Sequence, residues 1–255
     1  DPAAVAAGRT WRDARFQMAH RGFAQLAEVL REQGVAKVDG ILFDLGVSSP
    51  QLDDAERGFS FRFDAPLDMR MDTSGGMTAA QWLATVDEGL LTEVIRDYGE
   101  ERFAKQIARA VVAARTIQPI HTTRQLVELV GKAVRTREAG QNPATRTFQA
   151  IRIYLNGELE ELARVLPECV THLKAGGRLA VISFHSLEDR AVKQFFVAQE
   201  NPCICPPRVP VCVCGRVPQL KRIIRKAIMP GEAEISKNQR SRSARLRAAA
   251  KLGTS

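Results

Sequence analysis

The chain has 255 residues, of which 45% are hydrophobic, and a formal net charge of +8 at pH 7. This apolar content is enough for one substantial core or two modest ones. No apolar run approaches the roughly 20 residues that span a bilayer, and no secretory signal pattern is present. We therefore expect a soluble, cytoplasmic protein with no membrane partner.

Strand-like and helix-like segments alternate along the chain, which is typical of the α/β class. Residues 15–20 have the pattern of a short strand, and a helix is predicted over 23–33. The apolar segment 38–45 predicts a buried strand, yet it contains Asp44. Because a buried carboxylate is unfavourable unless something binds it, we expect Asp44 to point at a ligand. The alternative is that Asp44 only caps the following turn.

The segment 46–76 has no periodicity and combines many charges with aromatic and methionine side chains. A connection of about thirty residues is usually functional or disordered, and the apolar content argues against disorder. If the chain is extended here, Asp68 and Arg70 face the same way, and Arg70 is suited to a phosphate. Phe59 or Phe61 either stacks on an unpaired base or only pins the loop to the core.

Residues 77–141 have the pattern of four consecutive helices, with Thr78 and Thr122 or Thr123 as candidate N-caps. Four helices that interrupt a strand-helix alternation indicate an inserted helical domain. We therefore predict a sheet domain in two parts, residues 1–76 and 142–255, with residues 77–141 as the inserted domain.

The α/β pattern resumes with an Asn-Pro pair at 142–143, which starts a long amphipathic helix that ends or kinks at Pro167. A Gly-Gly turn leads to a strand at 178–184, and a new helix begins at Ser186. The last strand candidate is 220–230. Between residues 221 and 251, ten Lys or Arg stand against two Glu. We interpret this segment as a basic tail, either a phosphate-binding tail or merely a solvated one.

Two of the predicted strands end in polar clusters. Asp44 is followed by Ser48 and Ser49, and Ser183 is followed by His185. In open α/β sheets, ligands bind outside the carboxyl ends of the strands, so Asp44 and His185 share a site if their strands are neighbours. Histidine exchanges protons near neutral pH, so His185 is a candidate acceptor or proton relay; a structural role is the alternative.

Four cysteines, Cys203, Cys205, Cys212 and Cys214, form a C-x-C-x6-C-x-C pattern. Four thiolates this close can make a tetrahedral zinc site, but the spacing is not the common C-x2-C. Disulfides are not expected without a secretory signal. We favour ordinary thiols in a hairpin and predict no metal. Cys169 stands alone on a helix and is expected in the core.

Five blocks, in order along nearly the whole chain, resemble one family, the bacterial 16S ribosomal RNA cytosine-N4 methyltransferases (RsmH, formerly MraW). The blocks are "VDGILFDLGVSSPQLDDAERGFSFRFDAPLDMRMD", "YGEERFAKQIARAVV", "NPATRTFQAIRIYLNGELEEL", "GGRLAVISFHSLEDRAVKQFF" and "NQRSRSARLRAA". The resemblance implies an α/β fold, a Rossmann-like S-adenosylmethionine-dependent methyltransferase sheet with an inserted all-helical domain. It also implies S-adenosyl-L-methionine as cofactor, and methylation of the exocyclic N4 of a cytidine in the decoding centre of 16S rRNA.

The family's cofactor-binding positions match Phe23, Asp44 and Gln51. Family members also carry a first strand with a Gly-Gly-His turn, which would lie before Asp1, so we expect a fragment that binds the cofactor poorly. The expected partner is 16S rRNA within the small ribosomal subunit, and not DNA, because Asp44 lacks the Pro-Pro-aromatic sequence of other amino-methyltransferases. A non-catalytic RNA-binding ribosome-assembly factor on the same fold is the alternative.

The substrate amine sets the chemistry that this family requires. The N4 lone pair of cytosine is delocalised into the ring, so catalysis needs in-line positioning and acceptors for the amine hydrogens. Two roles for Asp44 stay open, as a cofactor ligand or as the acceptor from the amine. The expected substrate-binding residues are Ser48, Ser49, Asp68, Arg70, Arg146 and Ser183.

Overall fold

The computed structural model describes residues 1–134, 142–206 and 211–253. The strands are β1 (Val38–Asp44), β2 (Leu173–Ser183), β3 (Leu220–Arg222) and β4 (Arg245–Lys251). The α-helices are α1 (Pro2–Gly8), α2 (Leu26–Glu32), α3 (Ser49–Asp53), α4 (Ala79–Thr85), α5 (Glu88–Gly99), α6 (Ala104–Arg115), α7 (Thr123–Ala133), α8 (Thr145–Asn156), α9 (Glu158–His172), α10 (Ser186–Glu200) and α11 (Glu232–Lys237). No helix in the described ranges is long and apolar enough to cross a membrane.

The chain forms two compact units. The first is Asp1–His20 with Val47–Glu158, and the second is Arg21–Gly46 with Leu159–Ser255. The segment 46–76 and α8 therefore belong almost entirely with the helices α4–α7, whereas the sequence-based bounds assign them to the sheet domain. The sequence-based division into domains at 1–76, 77–141 and 142–255 stays a prediction.

The second unit is built on a four-stranded sheet with the order β1-β2-β4-β3. β1 and β2 are parallel, while β4 is antiparallel to both β2 and β3. Helices α9 and α10 supply most of the apolar side chains that pack with β2, among them Leu166, Val192 and Phe196. The mixed α/β class expected from the sequence is confirmed.

β1 lies at an edge of this sheet, and that position corrects the prediction of a buried strand. Leu42 is 65% exposed, Ile41 and Phe43 are half-buried, and Leu45 alone of the four is buried. Asp44 is exposed as well. Its charge therefore carries no large desolvation cost.

The C-terminal segment is not a tail. Residues Arg245–Lys251 form β4, which lies between β2 and β3, with Ser183 opposite Arg245. Asp189 of α10 compensates the charges that enter the sheet, since its carboxylate accepts hydrogen bonds from Arg245 at 3.1 Å and from Arg247 at 2.7 Å. The strand predicted over 220–230 is only three residues long.

The first unit is mainly helical. Its core contains side chains from all of the helices α4–α8, together with Phe59, Leu67 and Met69 from the loop, which confirms that the loop is ordered. The predicted caps at Thr78 and Thr122 are confirmed, and each forms a capping box with the glutamine three residues later.

Two local predictions are wrong. Residues 15–20 form neither a strand nor a helix. The long helix breaks at Gly157, whose φ of 58° is left-handed, and α9 then continues through Pro167. Glycine adopts this conformation at little cost, whereas Pro167 removes one hydrogen bond from a helix that packing holds in place.

The ion pairs of Asp189 predict a pH-dependent contribution to stability. Burial raises the pKa of Asp189, but hydrogen bonds from Arg247 and Arg245 outweigh it, so the folded-state pKa lies below its usual range. A depressed carboxyl pKa stabilises the fold above the unfolded value of about 3.9, and this stabilisation is lost as the pH falls through the folded pKa. We expect Asp189→Asn to lower the free energy of unfolding by about 3 kcal/mol at pH 7.

Urea unfolding between pH 7 and pH 3 measures this effect, and the deficit of the variant should shrink below about pH 4. The control is Asp97→Asn, whose partner Arg96 is exposed, with an expected change within about 0.5 kcal/mol. An Asp189→Asn deficit that is the same at every pH would contradict an electrostatic origin.

Candidate active site

The parallel pairing of β1 and β2 brings two predicted site segments to one edge of the sheet. Asp44, the last residue of β1, lies opposite Ile182, and the N–H of Leu45 donates to the Ile182 carbonyl at 3.0 Å. Ser183 and the turn to α10 follow directly. The two strands are therefore neighbours, as the shared-edge prediction required.

Gly46 permits the sharp exit of the chain beside Asp44. Its φ of 86° lies in the left-handed region, where a side chain would be strained. A Cβ at this position would lie 3.7 Å from the ring of Phe184, which comes from the turn after β2. The two chain exits are thus packed against each other.

The carboxylate of Asp44 is exposed and makes no hydrogen bond or ion pair within the described part of the chain. An acceptor without an internal partner at the carboxyl edge of parallel strands is available to a ligand N–H or O–H group. This observation fits the cofactor-ligand role better than the turn-cap role.

Phe23 starts a short 3-10 turn, Phe23–Gln25, in the same unit. Its ring meets the ring of Phe43 edge-on, with centroids 5.8 Å apart, and remains 36% exposed. The N–H of Ala24 donates to Glu161 of α9 at 2.8 Å, which fixes the turn. Because Phe43 directly precedes Asp44 in β1, this ring contact places Phe23 against the strand that carries the free carboxylate.

Ser183 and His185 have structural partners. The Ser183 hydroxyl donates to the Arg245 carbonyl at 3.3 Å and is almost fully buried. His185 is the N-cap of α10, where its Nδ1 accepts the N–H of Glu188 at 3.4 Å. Because Nδ1 is the acceptor, the proton of the neutral ring lies on Nε2.

His185 and Glu188 form a buried pair at the start of α10. Nε2 lies 3.2 Å from Oε1 of Glu188, although it is not aligned for a hydrogen bond. The other oxygen of Glu188 accepts the N–H of Phe184 at 2.8 Å. The histidine side chain is only 7% exposed. Its placement is that of a capping residue, and direct catalysis by His185 remains a prediction.

In the first unit, Gln51 and Ser48 form a capping box for α3. The Ser48 hydroxyl accepts the N–H of Gln51 at 3.4 Å, and Oε1 of Gln51 accepts the N–H of Ser48 at 2.9 Å. Nε2 of Gln51 donates to Asp1 at 2.7 Å, and the side chain is buried. Ser49 is the exposed first residue of the helix. The role of Gln51 in cofactor binding remains a prediction.

Asp68 and Arg70 bind each other rather than facing outward from an extended segment. Arg70 donates through Nε and Nη2 to the Asp68 carboxylate, both at 2.8 Å, and Met69 between them has a left-handed φ of 63°. Burial raises the pKa of Asp68, but hydrogen bonds from Arg70 outweigh it and hold that pKa below its usual range. The extended conformation is wrong.

Two residues that the sequence analysis missed, Arg57 and Asn156, hold this turn. Arg57 donates to the carbonyls of Arg70 and Met71, both at 3.0 Å. Asn156 donates to the Met69 carbonyl at 2.8 Å and accepts the N–H of Met71 at 2.7 Å. Both contacts join positions far apart in sequence, so no local pattern could have indicated them.

The remaining candidates are also in the first unit. Arg146 of α8 is half-buried, with Nη1 3.9 Å from Oε2 of the buried Glu101. Phe59 is in the core, and Phe61 packs edge-on against Phe148 with centroids 5.1 Å apart. The core-pinning interpretation is therefore confirmed for Phe59 and favoured for Phe61.

Comparison with known proteins shows which family the chain matches. Residues 1–252 match the model of the MraW methylase family. A protein of Azoarcus sp. (strain BH72) named ribosomal RNA small subunit methyltransferase H is 59% identical over 253 residues, which cover 99% of this chain and 81% of that protein. Proteins of the same name from Thiobacillus denitrificans and Neisseria meningitidis are 57% and 56% identical, and the matches cover 81% and 76% of their lengths.

The capping role of His185 predicts different effects for two substitutions. His185→Ala removes the acceptor for the Glu188 N–H and should cost about 1 kcal/mol in unfolding free energy. Asn is among the best N-cap residues, so His185→Asn should stay within about 0.5 kcal/mol of wild type and keep its activity. Thermal unfolding and methyl transfer, measured on both variants, test this. An Asn variant that is as stable as wild type but inactive would instead support a role of His185 as a proton relay.

The turn held by Asn156 predicts a local stability effect. Asn156→Ala leaves the Met71 N–H and the Met69 carbonyl without partners, so we expect a loss of about 2 kcal/mol. Amide hydrogen exchange at Met71 should accelerate at least about tenfold. The control is Asn201→Ala, at an exposed helix end, with almost no expected change. Unchanged exchange at Met71 in Asn156→Ala would show that the turn does not depend on this side chain.

Proposed function

Since this chain belongs to the MraW methylase family, we propose that it transfers a methyl group from S-adenosyl-L-methionine to RNA. The proposed target is the exocyclic N4 of a cytidine in the decoding centre of 16S rRNA, within the small ribosomal subunit in the cytoplasm. The names of its relatives support small-subunit rRNA as the substrate. The net charge of +8 suits a phosphate-rich partner.

The observation that carries the proposal is the free carboxylate of Asp44 at the carboxyl edge of β1 and β2. When bound, S-adenosyl-L-methionine supplies an electrophilic methyl group. Asp44 accepts a hydrogen bond from a cofactor N–H or O–H group, and a charged acceptor strengthens that bond. The partly exposed ring of Phe23, which packs against Phe43 of β1, offers an apolar face next to the same strand.

The weak nucleophilicity of the cytosine amine determines what the protein must contribute. Binding in one orientation replaces a bimolecular encounter with a positioned one, which can supply several orders of magnitude in rate. Acceptors for the amine hydrogens favour the attacking form of the nitrogen. A carboxylate can accept hydrogen bonds on both of its oxygens, so the two roles of Asp44 are compatible. The match to the family's cofactor-binding position makes the cofactor role our first assignment.

The structure changes how the predicted substrate residues are expected to act. Ser183 in the second unit and Asp68 and Arg70 in the first have internal partners, so we propose that each fixes the backbone of its own unit. Ser48 and Ser49 are exposed, and Arg146 is half-buried, so these three residues of the first unit are the proposed RNA contacts, although Ser48 also caps α3 and Arg146 lies near Glu101. A cytidine within a folded RNA has to leave its stack before its N4 can react, and polar side chains near such a site hold the displaced nucleotide.

Radiolabelled methyl transfer to small subunits that lack the modification tests the proposal. Wild-type full-length protein should form N4-methylcytidine, identified by mass spectrometry of the digested RNA. Asp44→Asn should reduce the rate about 5- to 10-fold, because a neutral amide oxygen replaces the charged acceptor and forms a weaker hydrogen bond. The matched control is Asp39→Asn at the other end of β1, which makes only an exposed ion pair with Lys174. Its rate should equal that of wild type.

The outcomes separate the alternatives. A different methylated nucleoside would retain the methyltransferase and overturn the assignment of the target atom. Binding of the subunit without any transfer, in cofactor-saturated wild-type protein, would favour the RNA-binding assembly factor. Equal losses in Asp44→Asn and Asp39→Asn would mean that the strand, and not the Asp44 carboxylate, matters.

A further inference from the structure

The four cysteines between α10 and β3 converge, although the sequence analysis favoured ordinary thiols over a metal site there. Sγ of Cys212 lies 3.5 Å from that of Cys203, 3.9 Å from that of Cys205 and 3.4 Å from that of Cys214. All four sulfurs lie within 4.8 Å of one another. None of them is in a disulfide.

The three distances from Cys212 are close to those in a metal tetrahedron. A zinc ion bound by four thiolates at about 2.3 Å places the sulfurs about 3.8 Å apart, which follows from tetrahedral geometry. The C-x-C spacing, which argued against metal, turns out to be no obstacle. Cys212 and Cys214 are two residues apart, and their sulfurs nevertheless lie 3.4 Å from each other.

The described parts of the segment that carries the cysteines have no core of their own. We call residues 201–219 the cysteine loop; its described parts, 201–206 and 211–219, contain no helix or strand and no buried residue. The side chains next to the cysteines face solvent, with Ile204 65%, Val211 71% and Val213 80% exposed. A segment without buried apolar surface needs another source of order, and a bound metal is one that small folds commonly use.

We propose that Cys203, Cys205, Cys212 and Cys214 bind one structural zinc ion. Four thiolates with no other donor among the described residues make a closed site, which is typical of structural rather than catalytic zinc. Tetrahedral sulfur sites also suit iron, but zinc needs no redox partner and tolerates the exposed position. The site lies outside the Asp44 edge and is independent of the proposed methyl transfer.

Metal analysis of the purified full-length protein tests the site directly. Elemental mass spectrometry should find one zinc per chain in wild type. A mercurial reagent should release that zinc, which a colorimetric chelator detects without any need for a variant. Replacing zinc with Co²⁺ should produce the visible and charge-transfer absorption of a tetrahedral thiolate complex.

Matched substitutions identify the ligands. Cys212→Ser, at the centre of the cluster, should lose most of the bound metal, while Val213→Ser beside it should keep all of it. Cys169→Ala should also keep the metal, because burial raises the pKa of that thiol to about 12 and it lies in the core. Metal-free wild-type protein with free thiols or with disulfides in this loop would overturn the proposal, as would iron in place of zinc.

Discussion

Parallel backbone hydrogen bonds between β1 and β2 join two segments that are about 140 residues apart in sequence and set Asp44 opposite Ile182. This register determines which residues reach the carboxyl edge. A shift of β1 by one residue would turn the side chain of Asp44 to the other face of the sheet. Everything proposed about the cofactor rests on this pairing, because the edge beyond it is where open α/β sheets bind ligands.

The residues around that edge divide into free and committed side chains. The Asp44 carboxylate has no partner among the described residues, and the ring of Phe23 is partly exposed. The side chains of Ser183 and His185, in contrast, make hydrogen bonds that hold the chain where it leaves β2. The same division recurs in the first unit, where Arg70 is fully engaged by its own loop. A polar residue in a family motif can therefore serve the site by holding the backbone in place, and its hydrogen-bond partners distinguish this role from ligand binding.

Local physics explains which predictions from sequence succeeded. Helix caps at Thr78 and Thr122 depend on hydrogen bonds within three residues, and β2 follows from its own apolar pattern, so all were predictable. β4 was missed because Arg245 and Arg247 are compatible with a strand only when Asp189 neutralises them from another element. The exposure of Asp44 and the convergence of the cysteines likewise depend on contacts that no local pattern encodes.

The central claim is that Asp44 binds the cofactor, and calorimetric titration of full-length protein with S-adenosyl-L-methionine tests it without any RNA. Asp44→Ala should raise the Kd about 10- to 100-fold relative to wild type, since a charged hydrogen bond is lost. Its unfolding free energy should be unchanged, because the carboxylate has no partner among the described residues. An unchanged Kd in a folded Asp44→Ala variant would contradict the account.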